Sequence, residues 1–112
     1  MKHLVEFRSY TLKPVSRDRF HQLILEQSMP MMQRWHVDVI DFGPSAHDDD
    51  SYYLIRRYDS LTQRQHSQDA FYGSDEWKLG PREAIVSLIQ EYTCFVLELE
   101  DAAVQQLRRK GD

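Results

Sequence analysis

Cysteine is almost absent from this chain. Cys94 stands alone, which excludes an internal disulfide framework and any CxxC metal or redox motif. Glycine is scarce as well: the four glycines stand apart at 43, 73, 80 and 111. No glycine-rich loop can therefore cradle a phosphate, and a nucleotide cofactor is not expected. No apolar run approaches membrane-spanning length, and the opening Met1-Lys2-His3-Leu4-Val5-Glu6 carries charge where a signal peptide needs an unbroken apolar stretch. The expectation is a cytoplasmic protein that stays out of the membrane, with an address on a removed precursor as the alternative. Positive charge is not in excess either. Lys and Arg number 14 against 18 Asp and Glu, for a net charge of -4, and the only basic run is Arg108-Arg109-Lys110 at the C-terminal tip. Nucleic-acid binding is not expected. Internal repeats, low-complexity tracts and interdomain linkers are missing too.

What is there fits one globular domain: 112 residues, 41% of them hydrophobic and 29% charged. At this size a two-layer core forms with little to spare, so an apolar face left uncovered argues for a partner chain.

The periodicity gives an α+β order. Residues 4–12 mix β-branched and aromatic side chains and stop at Lys13-Pro14, which predicts a first strand with Val5, Phe7 and Ser9 on one face and Glu6, Arg8 and Tyr10 on the other. Ser16 then reads as an N-cap, and Phe20, Leu23, Ile24, Gln27 and Met31 recur at helical spacing. Pro30 predicts a kink near Ser28. Val37 to Phe42 is a second strand ended by Gly43-Pro44, Ser45 to Ser51 a solvated hairpin loop, and Tyr52 to Tyr58 a third strand. Ser60 caps a mostly polar helix running to about Tyr72, and Ser74 caps another turn with Asp75 and Glu76 in it. Pro81 seats a helix whose apolar stripe is Ala84, Ile85, Leu88 and Ile89. Residues 92–100 are the fourth strand, and Ala102, Ala103, Val104 and Leu107 suggest a short extra helix. The order is β-α-β-β-α-β, a ferredoxin-like fold with a four-stranded antiparallel sheet.

Four segments resemble one family. Glu6 to Pro14 (EFRSYTLKP) is similar to the opening strand of NIPSNAP domains. Ile40-Asp41-Phe42, Leu54 to Leu61 (LIRRYDSL) and Ala70 to Trp77 (AFYGSDEW) resemble three later stretches in the same order. The match runs from about residue 4 to residue 98, giving a NIPSNAP-like domain over 1–100 and a C-terminal tail over 101–112. The resemblance implies a dimeric α/β barrel, in which two ferredoxin-like sheets pack face to face. It implies no particular chemistry, since relatives of that architecture include cofactor-free monooxygenases, heme enzymes, isomerases and small-molecule sensors. The chain departs from the pattern at Val15 and at Asp41, where the family usually has glycine. The first departure affects a turn; the second puts a carboxylate on or near a barrel strand.

Arg8 and Tyr10 share a strand face, as do Arg56 and Tyr58. If the two faces coincide, guanidinium forks and phenols converge on a set suited to a carboxylate, enolate or phenolate. The alternative is that Arg8 pairs with Glu6 or Glu98 in structural salt bridges. Taking Val5, Phe7, Tyr53 and Ile55 as the side under the helices places Arg8, Tyr10, Arg56 and Tyr58 in a cavity between paired sheets, although Arg57 fits poorly beneath a helix. Trp77 joins this ligand set as a wall residue. His36 is the catalytic candidate among five scattered histidines, with a helix cap as its other reading. No metal site is expected, because no carboxylate stands at a recognised ligand spacing from a histidine and Asp48 to Asp50 lacks the oxygen pattern of a calcium loop. Cofactors: none expected.

Helices cover only one face of such a sheet, so the opposite face needs a second copy, and a homodimer follows. The expected function is the binding of a small polar or aromatic metabolite, anionic or aromatic in character. A cofactor-independent enzyme of monooxygenase or isomerase type is the alternative, and a structural adaptor with an incidental cavity a third reading.

Overall fold

A computed structural model describes residues 1–108; Arg109, Lys110 and Gly111, on which part of the basic-run and glycine readings fell, lie outside the described residues. The elements are β1 (Lys2–Leu12), α1 (Arg17–Leu23), a π-helical turn (Ile24–Ser28), α2 (Met29–Arg34), β2 (Asp38–Pro44), β3 (Ser51–Tyr58), α3 (Leu61–Gly73), α4 (Asp75–Leu79), α5 (Arg82–Val86), β4 (Ile89–Glu100) and α6 (Asp101–Leu107). The strands form one antiparallel sheet in the order β2-β3-β1-β4. This is the expected α+β, ferredoxin-like arrangement. No helix among the described residues is long and apolar enough to cross a membrane.

Local chemistry accounts for the helix ends. The Ser60 hydroxyl accepts from the Gln63 amide at 3.0 Å, and the Ser74 hydroxyl accepts from the Trp77 amide at 3.2 Å, each satisfying an orphan donor of a first turn. Ser16 occupies its expected position but its side chain makes no cap bond. The anticipated kink before Pro30 takes the form of the π-helical turn, which hands over to α2 with Pro30 in its first turn, where a missing N–H costs nothing.

Two boundaries move. β4 begins at Ile89, not at residue 92, because Leu12 pairs with Ile89 and the Lys13 amide donates to the Leu88 carbonyl at 2.9 Å. The predicted stripe is therefore cut: α5 ends at Val86 and buries Ile85, while Ile89 belongs to the sheet.

The larger correction concerns the faces of the sheet. The core under the helices is built from Tyr10 and Leu12 of β1, Tyr52 and Leu54 of β3 and Phe42 of β2, packed on Phe20, Leu23, Met31, Met32, Phe71 and Trp77. Alternation then places Glu6, Arg8, Arg56 and Tyr58 on this same helix-covered face. Val5 and Phe7 lie on the outer face, where Val5, Ile40 and Val104 form a second, smaller cluster. The C-terminal segment read as a tail supplies that cover, since α6 folds back and buries Val104 completely. A bulge between Val39 and Asp41 in the β2–β3 pairing brings Ile40 to that cluster. Arg57, awkward beneath a helix, is on the outer face, where Asp38 accepts from its Nε at 2.7 Å and is also gripped by both terminal nitrogens of Arg108. The cover stops short of β4: Phe95 is 59% and Leu97 46% exposed.

Candidate functional site

A carboxylate occupies the centre of the helix-covered face. Glu6 is fully buried on β1 directly opposite Arg56 of β3, and Arg56 is 1% exposed. Its Oε1 accepts from Arg56 Nη2 at 2.6 Å and from Nε at 3.0 Å. Its Oε2 accepts from Arg64 Nε at 2.8 Å and from Gln68 Nε2 at 2.7 Å, with Arg64 Nη2 at 2.7 Å. Arg8 Nη2 stands further off, at 3.5 Å. Burial alone would raise the Glu6 carboxyl, but Arg56 and Arg8, with hydrogen bonds from Gln68 and Arg56, outweigh it and hold it down at about 2. Arg56 donates its Nη1 to the Tyr72 hydroxyl at 2.9 Å, and Gln68 donates to the Tyr58 hydroxyl at 3.2 Å.

Beside this cluster a cavity of about 650 Å³ opens between β1, the start of β4 and the helices α3 to α5. Arg8, Tyr10, Gln68, Tyr72, Trp77 and Tyr92 line it, and Arg82 and Glu91 belong to its exposed part. The Arg8 guanidinium carbon lies 5.0 Å from the Tyr92 ring centroid and 6.0 Å from that of Tyr72. Tyr72 and Trp77 meet edge to face at 5.2 Å, a rigid aromatic corner. Tyr10 is pushed up to about 12, first by burial and then by the neighbouring Tyr72, against the opposing pull of Arg8 and Arg56, so its hydroxyl keeps its proton at neutral pH and is able to donate. Burial likewise raises Tyr58.

The predicted set is thus partly assembled. Arg8, Tyr10 and Trp77 line the cavity, whereas Arg56 and Tyr58 stand behind it as parts of the Glu6 cluster. The cavity lies between sheet and helices, not on the sheet face that paired sheets would share. Glu98 stands exposed opposite Leu4, and the carboxylate that pairs Arg8 is Glu6.

His36 is not among the cavity-lining residues and is exposed. Its φ of 59° puts it in the left-handed region; its amide donates to Gln33 and that of Val37 to Met32, the paired bonds that close a helix C-terminus. The cap reading describes its place. Asp41 accepts from the Tyr53 hydroxyl at 2.8 Å. Among the described residues, no group of three or more His, Cys, Asp or Glu side chains is placed to hold a metal ion.

Arg64, Gln68, Tyr72 and Tyr92 escaped the sequence reading. The first three recur every fourth residue along α3, one long-armed polar stripe that passes for a solvated face.

No protein-family model matches the sequence, and no curated protein matches it. Solved structures do. A NIPSNAP family protein of Agrobacterium tumefaciens superposes with a TM-score of 0.82 at 15% identity, covering 92% of this chain and 90% of its own. A NIPSNAP-like domain protein of Burkholderia xenovorans gives 0.79 at 18% identity over 88% and 86%. A candidate antibiotic biosynthesis monooxygenase of Caulobacter crescentus gives 0.68 at 14% identity over 88% and 91%. At such identities likeness establishes the fold, and that fold is the one found in NIPSNAP family proteins, the family its four sequence segments resemble.

Proposed function

We propose that this chain is a binding domain that takes a small polar or aromatic metabolite into the cavity between its sheet and α3 to α5, and that it works as a homodimer. The observation that carries the first half is a cavity of about 650 Å³ whose walls join aromatic rings to a few convergent polar groups held by a buried cluster, the usual make-up of a small-molecule site. Supporting the second half is the exposed apolar strip of Phe95 and Leu97, continued by Phe7, whose ring stacks on Phe95 at 5.0 Å. A second copy laid against the outer face would cover it.

A cofactor-independent enzyme is the second reading. What favours it is a protonated Tyr10 hydroxyl near the Arg8 guanidinium, groups suited to polarising a carbonyl or holding an enolate. The cavity lining has no histidine to act as a base near neutral pH, so binding is the stronger reading.

Soaking crystals with a library of small aromatic and polar fragments tests the site. Density between the sheet and α3 to α5 is expected; hits that settle elsewhere and leave the cavity empty would reject it. Light scattering at micromolar concentration tests the dimer, which should run near twice the 13.4 kDa chain mass.

A further inference from the structure

We infer that the ligand of this cavity is a planar aromatic carboxylate, and that Arg8 alone receives its charge. This rests on the cavity being a ligand site and adds the class of molecule that fills it.

Charge balance is the starting point. Three guanidiniums, Arg8, Arg56 and Arg64, are paired to the single carboxylate of Glu6, which leaves the cluster two positive charges in excess. The carboxylate has no room left for the third arginine. Five N–H groups already lie within 3.0 Å of its two oxygens, two from Arg56, two from Arg64 and one from Gln68, whereas a carboxylate offers about four lone-pair sites. Arg8 is left over at 3.5 Å, and its buried Nε has no hydrogen-bond partner. Its side chain is only 10% exposed, so water does little to relieve it. A buried guanidinium in that condition is costly until an acceptor completes it. Of the three arginines it is also the one that lines the cavity, so the missing acceptor has a place to come from.

The walls choose the rest of the molecule. The Tyr92 ring beneath Arg8 is 55% exposed, Trp77 and Tyr72 form the opposite aromatic corner, and Ile85 adds an apolar patch. A flat ring laid among these surfaces with its carboxylate toward Arg8 uses both properties. A volume of about 650 Å³ is that of a site for an organic molecule, far more than an inorganic anion fills. Arg82 and Glu91 carry opposite charges and are both exposed, so selection for an anion falls to Arg8.

Four probes separate these features in titrations followed by calorimetry: naphthoate, naphthalene methanol, octanoate and inorganic phosphate. Naphthoate should bind the wild-type protein at least about tenfold more tightly than each of the other three, the difference expected of one charge-assisted contact or of the lost ring. Arg8→Gln should lose that advantage for naphthoate and leave naphthalene methanol unchanged, with its melting temperature showing that it is folded. Tyr92→Ala, at an exposed position, should weaken naphthoate and not octanoate. Equal binding of naphthoate and naphthalene methanol, or wild-type affinity for naphthoate in Arg8→Gln, overturns the carboxylate assignment. Octanoate or phosphate binding as tightly as naphthoate overturns the aromatic one. Failure of all four probes overturns the class altogether, while the cavity itself stands or falls on the fragment soaks.

Discussion

Glu6 offers a measurable test of the polar cluster, because protons and a single substitution perturb the same group. Its carboxyl falls from an ordinary 4.5 to about 2 in the folded protein. A folded-state value below the unfolded one means stability that is fully present above 4.5 and lost as pH falls toward 2; at 1.36 kcal/mol per pH unit that amounts to about 3 kcal/mol. Glu6→Gln keeps the shape and removes the charge. It leaves Arg56, 1% exposed, without its carboxylate, a loss of about 3–5 kcal/mol for a broken buried pair. Urea denaturation of both proteins, followed by circular dichroism across the acid range, isolates the effect from every other carboxylate. The stability difference should be largest near neutral pH and shrink by about 3 kcal/mol on reaching about pH 2. A difference that stays constant with pH would show that Glu6 does not titrate in the cluster as described.

Three further outcomes follow from the backbone. Val15 is 98% exposed with a φ of 63°, so Val15→Gly should relieve about 1–2 kcal/mol of left-handed strain and, after the flexibility glycine adds to the unfolded chain, raise the melting temperature by a few degrees. His36→Gly should likewise preserve or raise stability, since the C-cap needs only a left-handed residue, and it should leave probe binding in the cavity unchanged. Gly80→Ala should destabilise by about 1–3 kcal/mol in urea titration, because a Cβ there is driven into the Glu76 carbonyl oxygen.

The strands, the Ser60 and Ser74 caps and the element order were legible because each is written in a few neighbouring residues. So were the shared faces of Arg8 with Tyr10 and of Arg56 with Tyr58, which alternation enforces. Which face lies under the helices was not legible. Val5 and Phe7 are more apolar than Glu6 and Arg8, and apolarity alone sends them inward. What reverses this is a polar cluster closed by Arg64 and Gln68, which lie 58 and 62 residues beyond Glu6, together with a C-terminal helix that gives Val5 its own cover. The strain at Val15 shows the converse: the departure from the family's usual glycine was visible in the sequence, and the structure attaches a positive φ to it.

The π-helical turn between α1 and α2 holds one residue more than a regular helix would need. Delete that surplus residue and the helix regains its normal pitch, but everything after it swings by about 100° about the axis. Met31 and Met32 would leave the core, and Arg34 and Trp35 would lose their joint hold on Glu76, the neighbour of Trp77. Spacing, quite apart from composition, therefore positions the wall of the cavity. A single-codon deletion between 24 and 28 should empty the site more thoroughly than many substitutions within it.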